Sequence, residues 1–362
     1  MKVVQLLPEL NEGGVERGTV ELNREFVKRG ITSYVISKGG RLAEQIRRDG
    51  GTHVCLDICS KNPLTVPLRV LRLRRILRDI GPDIVHARSR VPAWLAYLAN
   101  RRLHFPFVTT VHGLNSVSRY SEIMTRGDRV IVVGEPVRDH ILKNYPVDSG
   151  KIRVIQRGVD IDLFDPAKVD HEFIASFKEK HGLNGRYVVT SVGRITWLKD
   201  YETFIAAISR LKDEFPKMVG LIVGGTREDK VGYLTELQAL ARSLSVEDRI
   251  IFAGSQSKIA EIYSLSNVLV NASLKMGNIG RTIVEAFALD VPVIATTYEG
   301  LQNLVENGVN GYLVATRDPA DLADKIRLVC QGGFHGIRAN LNPEYTLETM
   351  VERTIATYRE LL

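Results

Sequence analysis

Two cationic side chains stand five residues apart just after a predicted strand. The segment YVVTSV is short and rich in β-branched residues, and Arg194 and Lys199 follow it. Ligands of open α/β sheets bind beyond the carboxyl ends of the strands, so both side chains are expected at a ligand site. A guanidinium group gives phosphate a forked contact, and an ammonium group gives it a point charge. The pair indicates a diphosphate site, and the alternative is a solvated helix start.

A second candidate follows the apolar run VLVNAS. Gly277 and Gly280 permit close backbone approach, and Arg281 and Thr282 open a predicted helix whose free N–H groups suit phosphate. Glu285 lies about one helical turn further on, where its carboxylate could accept two ribose hydroxyl groups. The alternative is a glycine-rich turn followed by a carboxylate that interacts with the helix dipole. The two cations described above favour the phosphate site.

The first half of the chain offers weaker candidates. Gly13 and Gly14 lie between a predicted strand and helix without a full GxGxxG, so they make a tight turn or let a phosphate or sugar approach. His112 follows the strand PFVTTV directly, and both a structural and a catalytic role are open. His86 likewise follows an apolar run, DIV, and a functional role for it has less support. No GxSxG, GxxxxGK[ST] or HExxH pattern occurs, so the sequence does not indicate a serine hydrolase, a P-loop protein or a zinc protease.

These residues need strands and helices in alternation to position them. Short apolar runs such as VVQLL, DRVIVVG, KMVGLIVGG and PVIATT alternate with helix-length segments of 3.6-residue periodicity. Runs without strict alternation are typical of parallel sheets buried on both faces. The pattern restarts after residues 159–168, whose polar residues and proline interrupt it, so we predict two successive α/β domains.

The composition narrows the class of protein further. The chain has 362 residues, a length that suggests two domains. Three cysteines, Cys55, Cys59 and Cys330, are too few and too oddly spaced for a disulfide framework. No apolar run reaches the roughly 18 residues that span a bilayer, and the first strand is no signal peptide. A cytoplasmic protein is therefore expected.

The charge is distributed unevenly along the chain. The net charge is +7, of which residues 1–170 carry +9 and the remainder −2. The segment PLRVLRLRRILRDIG places arginines among leucines at helical spacing, which suits either an anionic membrane surface or an ordinary exposed helix face. No aromatic stacking platform accompanies the charge, so no nucleic acid partner is expected. The arginines of this segment are Arg69, Arg72, Arg74, Arg75 and Arg78.

Many motifs, in order, resemble one family. The second half contains the motifs GRITWLKDYETFIAA, LIVGG, GRTIVEAFALDVPVIAT and NGVNGYLV. The first half contains ELNEGGVERGTVELN, PDIVHARSR, TTVHG and VIQRGVDIDLF. Together these motifs are similar to those of the retaining, nucleotide-sugar-dependent glycosyltransferases of family 4. The resemblance covers nearly the whole chain. Within the family, the first-half segments look most like enzymes that build lipopolysaccharide core or O-antigen chains.

The resemblance implies the GT-B architecture, with two Rossmann-like doubly wound α/β domains facing across a cleft. The implied acceptor-side domain comprises residues 1–165, and the donor domain comprises residues 166–345. Residues 346–362 would form a helix that crosses back to the first domain, which fits their apolar face.

The family's donor-site roles can be carried onto matching positions. Arg194 and Lys199 would hold the diphosphate and offset the charge of the leaving group, so no metal or other cofactor is implied. The helix start that contains Gly280, Arg281 and Thr282 would hold the distal phosphate. Glu285 would bind the ribose, and Ile259 would lie near the base. On the acceptor side, Gly14 would lie near the phosphates and His112 would contact the transferred sugar.

The chain departs from the family pattern at three positions. Gly277 replaces the first of two glutamates, which normally touches the donor sugar, and Ile279 replaces a phenylalanine. Asp290 replaces a glycine in a turn, where aspartate tolerates the left-handed conformation. The loss of the first glutamate leaves three alternatives open: another side chain or the backbone of Gly277 holds the sugar, the enzyme is slow, or the chain is a non-catalytic nucleotide-sugar-binding homologue. An epimerase is a further alternative, although the extra carboxylates it needs for proton abstraction are missing.

The resulting expectation is a retaining, metal-independent glycosyltransferase. It would move a sugar from a UDP- or GDP-type donor to a lipid-linked or other saccharide acceptor in lipopolysaccharide or cell-surface glycan synthesis. It would reside in the cytoplasm, peripherally on the inner face of the membrane.

Overall fold

The computed structural model describes residues 1–11, 13–226, 231–274, 280–297 and 304–362. The chain divides into two compact units. Unit 1 comprises Met1–Gly158 and Thr346–Leu362, and unit 2 comprises Val159–Tyr345. Unit 1 is thus assembled from two separate stretches of sequence. The predicted domain boundary after residue 165 falls inside unit 2.

Strands and helices alternate in both units, as the apolar runs predict. The elements of unit 1 are β1 (Lys2–Leu6), α1 (Gly14–Lys28), β2 (Thr32–Ser37), α2 (Ala43–Arg48), β3 (Thr52–Cys55), α3 (Val66–Ile80), β4 (Ile84–Ala87), α4 (Arg90–Asn100), β5 (Phe107–Val111), β6 (Arg129–Val132), α5 (Glu135–Asn144), β7 (Ile152–Val154) and α12 (Leu347–Arg359). Those of unit 2 are α6 (His171–Lys180), β8 (Tyr187–Val192), α7 (Tyr201–Leu211), β9 (Met218–Val223), α8 (Val231–Ser243), β10 (Ile250–Phe252), α9 (Ile259–Ser264), β11 (Val268–Asn271), α10 (Arg281–Phe287), β12 (Val293–Thr296), β13 (Gly311–Val314) and α11 (Pro319–Cys330).

Each unit is built on a parallel sheet. Among the described residues, unit 1 has seven strands in the order β3-β2-β1-β4-β5-β6-β7, and unit 2 has six in the order β10-β9-β8-β11-β12-β13. Both orders reverse next to the unit's first strand, as in a doubly wound Rossmann-like sheet, so the predicted fold class is confirmed. The central strands are buried on both faces, which explains their continuous apolar sequences.

Helix α12 completes one face of unit 1. Its residues Met350, Val351 and Tyr358 are buried with Leu22 and Phe26 of α1 against the sheet. The ring of Tyr358 meets that of Phe26 edge-on, with 5.9 Å between the ring centroids. The apolar stripe of this helix is therefore covered by unit 1. Helices α3, α4 and α5 cover the opposite face.

Unit 2 follows the same plan with its own helices. Helices α7, α8 and α11 cover one face of the sheet, and α6, α9 and α10 cover the other. The turn after α10 contains Asp290, whose φ of 58° lies in the left-handed region. Its Oδ1 accepts a hydrogen bond from the backbone N–H of Arg338 (2.9 Å). No helix in the described part of the chain is long and apolar enough to cross a membrane.

Candidate functional sites

The loop that follows β8 brings Arg194 and Lys199 together. A Cβ at Gly193 would lie 2.6 Å from Lys199 Cε, so the lysine stem passes directly over this glycine and requires its missing side chain. The hydroxyl of Tyr201 donates to the carbonyl of Gly193 (2.7 Å) and fixes the loop to α7. Burial lowers the pKa of Lys199, and the charge of Arg194 lowers it further. The Arg194 side chain is exposed, so the loop presents one half-buried and one accessible cation.

A chain of polar contacts runs from this loop to the start of α10. Lys199 Nζ donates to Ser273 Oγ (3.3 Å), and Ser273 Oγ donates to Asn271 Oδ1 (2.6 Å). Asn271 Nδ2 in turn donates to Thr282 Oγ1 (3.2 Å). Residues from two carboxyl ends, those of β8 and β11, thus meet the start of α10. The structure places Lys199 and Thr282 around one polar surface, as the two sequence candidates require.

The carboxylate of Glu285 is buried at the base of this surface. Arg281 Nε donates to its Oε1 (2.5 Å), and the hydroxyl of Tyr263 donates to its Oε2 (3.0 Å). Each oxygen has a further lone pair, so Glu285 retains the capacity to accept hydroxyl groups. Arg281, a predicted phosphate ligand, is engaged with Glu285 in this structure. Tyr263 is a partner that the sequence did not single out.

The remaining donor-site candidates in unit 2 lie around the same elements. Gly280 precedes α10, and a Cβ there would lie 2.7 Å from Ile283 Cδ1, so the helix start is tightly packed. Ile259 is the first residue of α9 and is half-buried. Gly277 and Ile279 lie outside the described residues.

His112 and His86 of unit 1 differ sharply in their contacts. His86 Nδ1 lies 2.7 Å from Tyr358 Oη, and its Nε2 lies 2.6 Å from Thr110 Oγ1, so both ring nitrogens have partners. The Nε2 of His112, which follows β5, is buried and has no hydrogen-bond partner among the residues that the structure describes. Burial lowers the pKa of both imidazoles well below the ordinary histidine value. His86 therefore ties α12 to the sheet, whereas His112 keeps a free ring nitrogen.

Two arginines that the sequence analysis did not select lie beside His112. Arg88 and Arg157 are 6% and 7% exposed. Arg157 Nη2 donates to the carbonyl of Gly14, the first residue of α1. Gly14 thus contacts Arg157 closely, and a Cβ on Gly14 would lie 2.7 Å from its Nη1.

A signal for both arginines was present in the sequence. Arg88 follows the last residue of β4, and Arg157 comes three residues after β7. The rule that selects Arg194 and His112, that ligand-binding residues follow the carboxyl ends of strands, applies to both arginines as well.

The five arginines of the α3 segment divide into two groups. Arg69 donates to the carbonyl groups of Ser60 (2.7 Å) and Asn62 (3.0 Å) and is buried. Arg74 donates to two carbonyl groups at the end of α4. These two arginines are structural. Arg72, Arg75 and Arg78 are exposed.

Exposed leucines accompany the exposed arginines. Leu64, Leu68 and Leu71 are 87%, 52% and 58% exposed. A separate, largely apolar pocket of about 480 Å³ lies between α3 and α4, and its lining includes Val66, Trp94 and Tyr120. This face of unit 1 is both cationic and apolar.

Family models match both units. The model described as Glycosyltransferase Family 4 matches residues 12–163, and the one described as Glycosyl transferases group 1 matches residues 173–342. The D-inositol 3-phosphate glycosyltransferase of Mycobacteroides abscessus is 28% identical over 277 residues, which are 71% of this chain and 60% of that protein. The alignment thus spans less than two thirds of the relative's length.

Solved structures match over almost the whole chain. A glycosyltransferase from Rickettsia africae is 30% identical, with a TM-score of 0.91 and coverage of 99% of this chain and 98% of that one. The Anabaena protein HepE, solved in complex with UDP-glucose, is 19% identical, with a TM-score of 0.85 and coverage of 99% and 100%. The HepE likeness concerns the GT-B fold, whereas the Rickettsia protein and the two family models show kinship. This chain belongs to glycosyltransferase family 4.

Proposed function

We propose that the chain is a retaining, metal-independent glycosyltransferase that uses a UDP- or GDP-sugar donor. The contact of Lys199 with Ser273 at the end of β11 carries the proposal, because the half-buried ammonium group then lies where the strand ends of unit 2 meet. Arg194 adds an accessible guanidinium group beside it. Two fixed cations of this kind would stabilise the charge that develops on a leaving diphosphate.

The other site residues take roles that fit their positions. Thr282 and the start of α10 would hold the distal phosphate, Glu285 the ribose and Ile259 the base. His112 would contact the transferred sugar. In the retaining reaction, the acceptor hydroxyl attacks the anomeric carbon on the face from which the diphosphate departs. The leaving phosphate oxygen takes the acceptor's proton.

The acceptor is proposed to be a saccharide, lipid-linked, in lipopolysaccharide or other cell-surface glycan synthesis. The exposed leucines and arginines around α3 support contact with the anionic inner face of the cytoplasmic membrane. The apolar pocket between α3 and α4 would suit a lipid portion of the acceptor.

Binding of UDP and GDP to variants of Lys199 tests the donor site. Lys199→Ala should weaken binding of the preferred diphosphate by at least tenfold, because one charge-assisted contact contributes about 1.5–3 kcal/mol. Binding of the corresponding monophosphate should change far less. Lys217→Ala is the matched control, since Lys217 is exposed in the same unit. Equal diphosphate affinity in wild type and Lys199→Ala, measured by titration calorimetry, would remove the assignment.

A panel of UDP- and GDP-sugars separates the transferase from its alternatives. Sugar transfer or slow donor hydrolysis that persists in EDTA supports the proposal. Interconversion of the donor sugar without release of nucleotide would indicate an epimerase. Binding without turnover, in both the wild type and Gly277→Glu and with saccharide acceptors present, would indicate a non-catalytic homologue.

A further inference from the structure

The arginine–histidine cluster of unit 1 forms the wall of a small cavity. The cavity has a volume of about 30 Å³, and its lining includes Gly18, His86, Arg88, Thr110, His112 and Arg157. A water molecule needs about 10–15 Å³ of such space, so the cavity takes a small polar group rather than a sugar ring. All these residues belong to unit 1.

Both guanidinium groups approach the same point on α1. A Cβ placed on Gly18 would lie 3.0 Å from Arg157 Nη2 and 3.5 Å from Arg88 Nη2. Two like charges close together in a poorly solvated place repel each other strongly. The absence of a side chain at Gly18 leaves the space in front of both groups open.

The carboxylates of Glu16 and Glu21 in α1 attract the charge of Arg88, and its guanidinium group keeps donors that an anion could use. Its Nη1 donates to the neutral Oε1 of Gln5 at 3.3 Å. Its Nε has no hydrogen-bond partner in the part of the chain that the structure describes. A buried cation that lacks such partners destabilises a fold unless a ligand supplies the missing acceptors.

We propose that this cluster binds a compact oxyanion, a phosphoryl or carboxylate group carried by one of the two substrates. Arg88 and Arg157 would form forked contacts with its oxygens, because the guanidinium geometry matches both groups. The unpaired Nε2 of His112 faces the same cavity. The inference rests on the proposed function, since it assigns the anion to a glycosyl-transfer substrate.

Inorganic phosphate is the probe for the site itself. We expect phosphate to bind the full chain in a phosphate-free buffer, and Arg88→Gln to weaken that binding at least tenfold. Arg72→Gln removes one exposed charge from the same unit and should leave phosphate affinity unchanged. Arg88→Lys keeps the charge without the fork and should give an intermediate affinity, which preserves the test if Arg88→Gln does not fold.

Two further experiments separate the anion site from the proposed donor site and identify which substrate carries the anion. Lys199→Ala should lose UDP binding but keep phosphate binding, and Arg88→Gln should do the opposite, so either proposal can fail alone. If UDP-glucuronic acid binds more tightly than UDP-glucose, and only when Arg88 is present, the donor sugar carries the anion. If the two donors bind alike while phosphate binding depends on Arg88, the acceptor carries it. No phosphate binding to the wild type, or equal binding to Arg88→Gln, would overturn the inference.

Discussion

The two units hold their cations in opposite ways. In unit 2, Lys199 donates to Ser273 and Arg194 is exposed, so the charges have polar or aqueous surroundings before any ligand arrives. In unit 1, Arg88 and Arg157 are almost fully buried and converge on the same glycine. An open, hydroxyl-lined surface suits a large ligand such as a nucleotide diphosphate. A small cavity walled on one side by two arginines suits one compact charged group.

The two units also differ in net charge. Residues 1–170, most of unit 1, carry a net charge of +9, whereas the remainder carries −2. Unit 1 therefore combines a buried pair of arginines, Arg88 and Arg157, with a net positive surface charge.

The largest expected effect concerns membrane binding. Replacing Arg72, Arg75 and Arg78 by glutamine should weaken binding to vesicles rich in anionic lipid by about 3 kcal/mol, since each charge near such a surface contributes about 1 kcal/mol. That loss corresponds to roughly a hundredfold in the partition coefficient. Sedimentation with vesicles measures it.

A triple variant of unit 2 provides the control for membrane binding. Lys180, Lys217 and Arg242 are exposed, and their replacement removes the same charge from the chain. If this variant loses as much vesicle binding as the α3 variant, net charge rather than the α3 face is responsible.

Mild acid should destabilise unit 1. Burial and then Arg88 hold the pKa of His86 well below 6.5, and the same burial with Arg88 and Arg157 does so for His112. Below pH 6.5 the unfolded chain binds protons that the folded unit does not, so the free energy of unfolding falls with pH. The expected slope is about 1.4 kcal/mol per pH unit for each histidine.

Urea unfolding between pH 7.5 and 5.5 measures this slope. The carboxylates of Glu25 and Glu360, whose pKa values arginine contacts hold at about 2, lose their contribution only below about pH 4.5. His112→Asn should reduce the slope, and His335→Asn, which alters an exposed side chain of unit 2, should not. A slope unaffected by His112→Asn would show that this imidazole titrates normally.

The smallest expected effect is on phosphate binding at the Arg88–Arg157 cluster, with no change in UDP binding at the Lys199 site. Gly18→Ala places a methyl group 3.0 Å from Arg157 Nη2, so the guanidinium groups must shift within their cavity. Phosphate affinity should fall by about 1 kcal/mol, or roughly fivefold, while UDP affinity stays the same. Calorimetry with both ligands checks this, and a change in UDP affinity alone would contradict the separation of the two sites.

Local sequence patterns predicted the fold but only part of the sites. Apolar runs such as VVQLL and YVVTSV identify buried strands, because burial on both faces favours apolar residues at consecutive positions rather than at alternate ones. The rule that ligands bind beyond strand ends then selects Arg194 and His112. These signals lie within a few consecutive residues, so they can be read without knowledge of tertiary contacts.

Long-range contacts lie beyond such reasoning. Arg69 and Arg74 share the helical spacing of the exposed arginines, yet they donate to distant backbone carbonyl groups and are structural. The bond between Tyr263 and Glu285 likewise depends on how α9 packs against α10. Arg88 and Arg157 are far apart in the sequence, on either side of β5 and β6, and become neighbours only in the folded sheet.

The discontinuous sequence of unit 1 has a consequence for synthesis on the ribosome. Unit 2 is a single stretch that has been fully translated before α12 is made, whereas the sheet face of unit 1 beneath Phe26 and His86 awaits Tyr358. A nascent chain therefore carries an uncovered apolar face on its earliest-made unit while the later-made unit already has every residue of its core. The unit that is translated first therefore receives its last residues second. Until α12 has been made, a chaperone is most needed to shield the uncovered apolar face of unit 1.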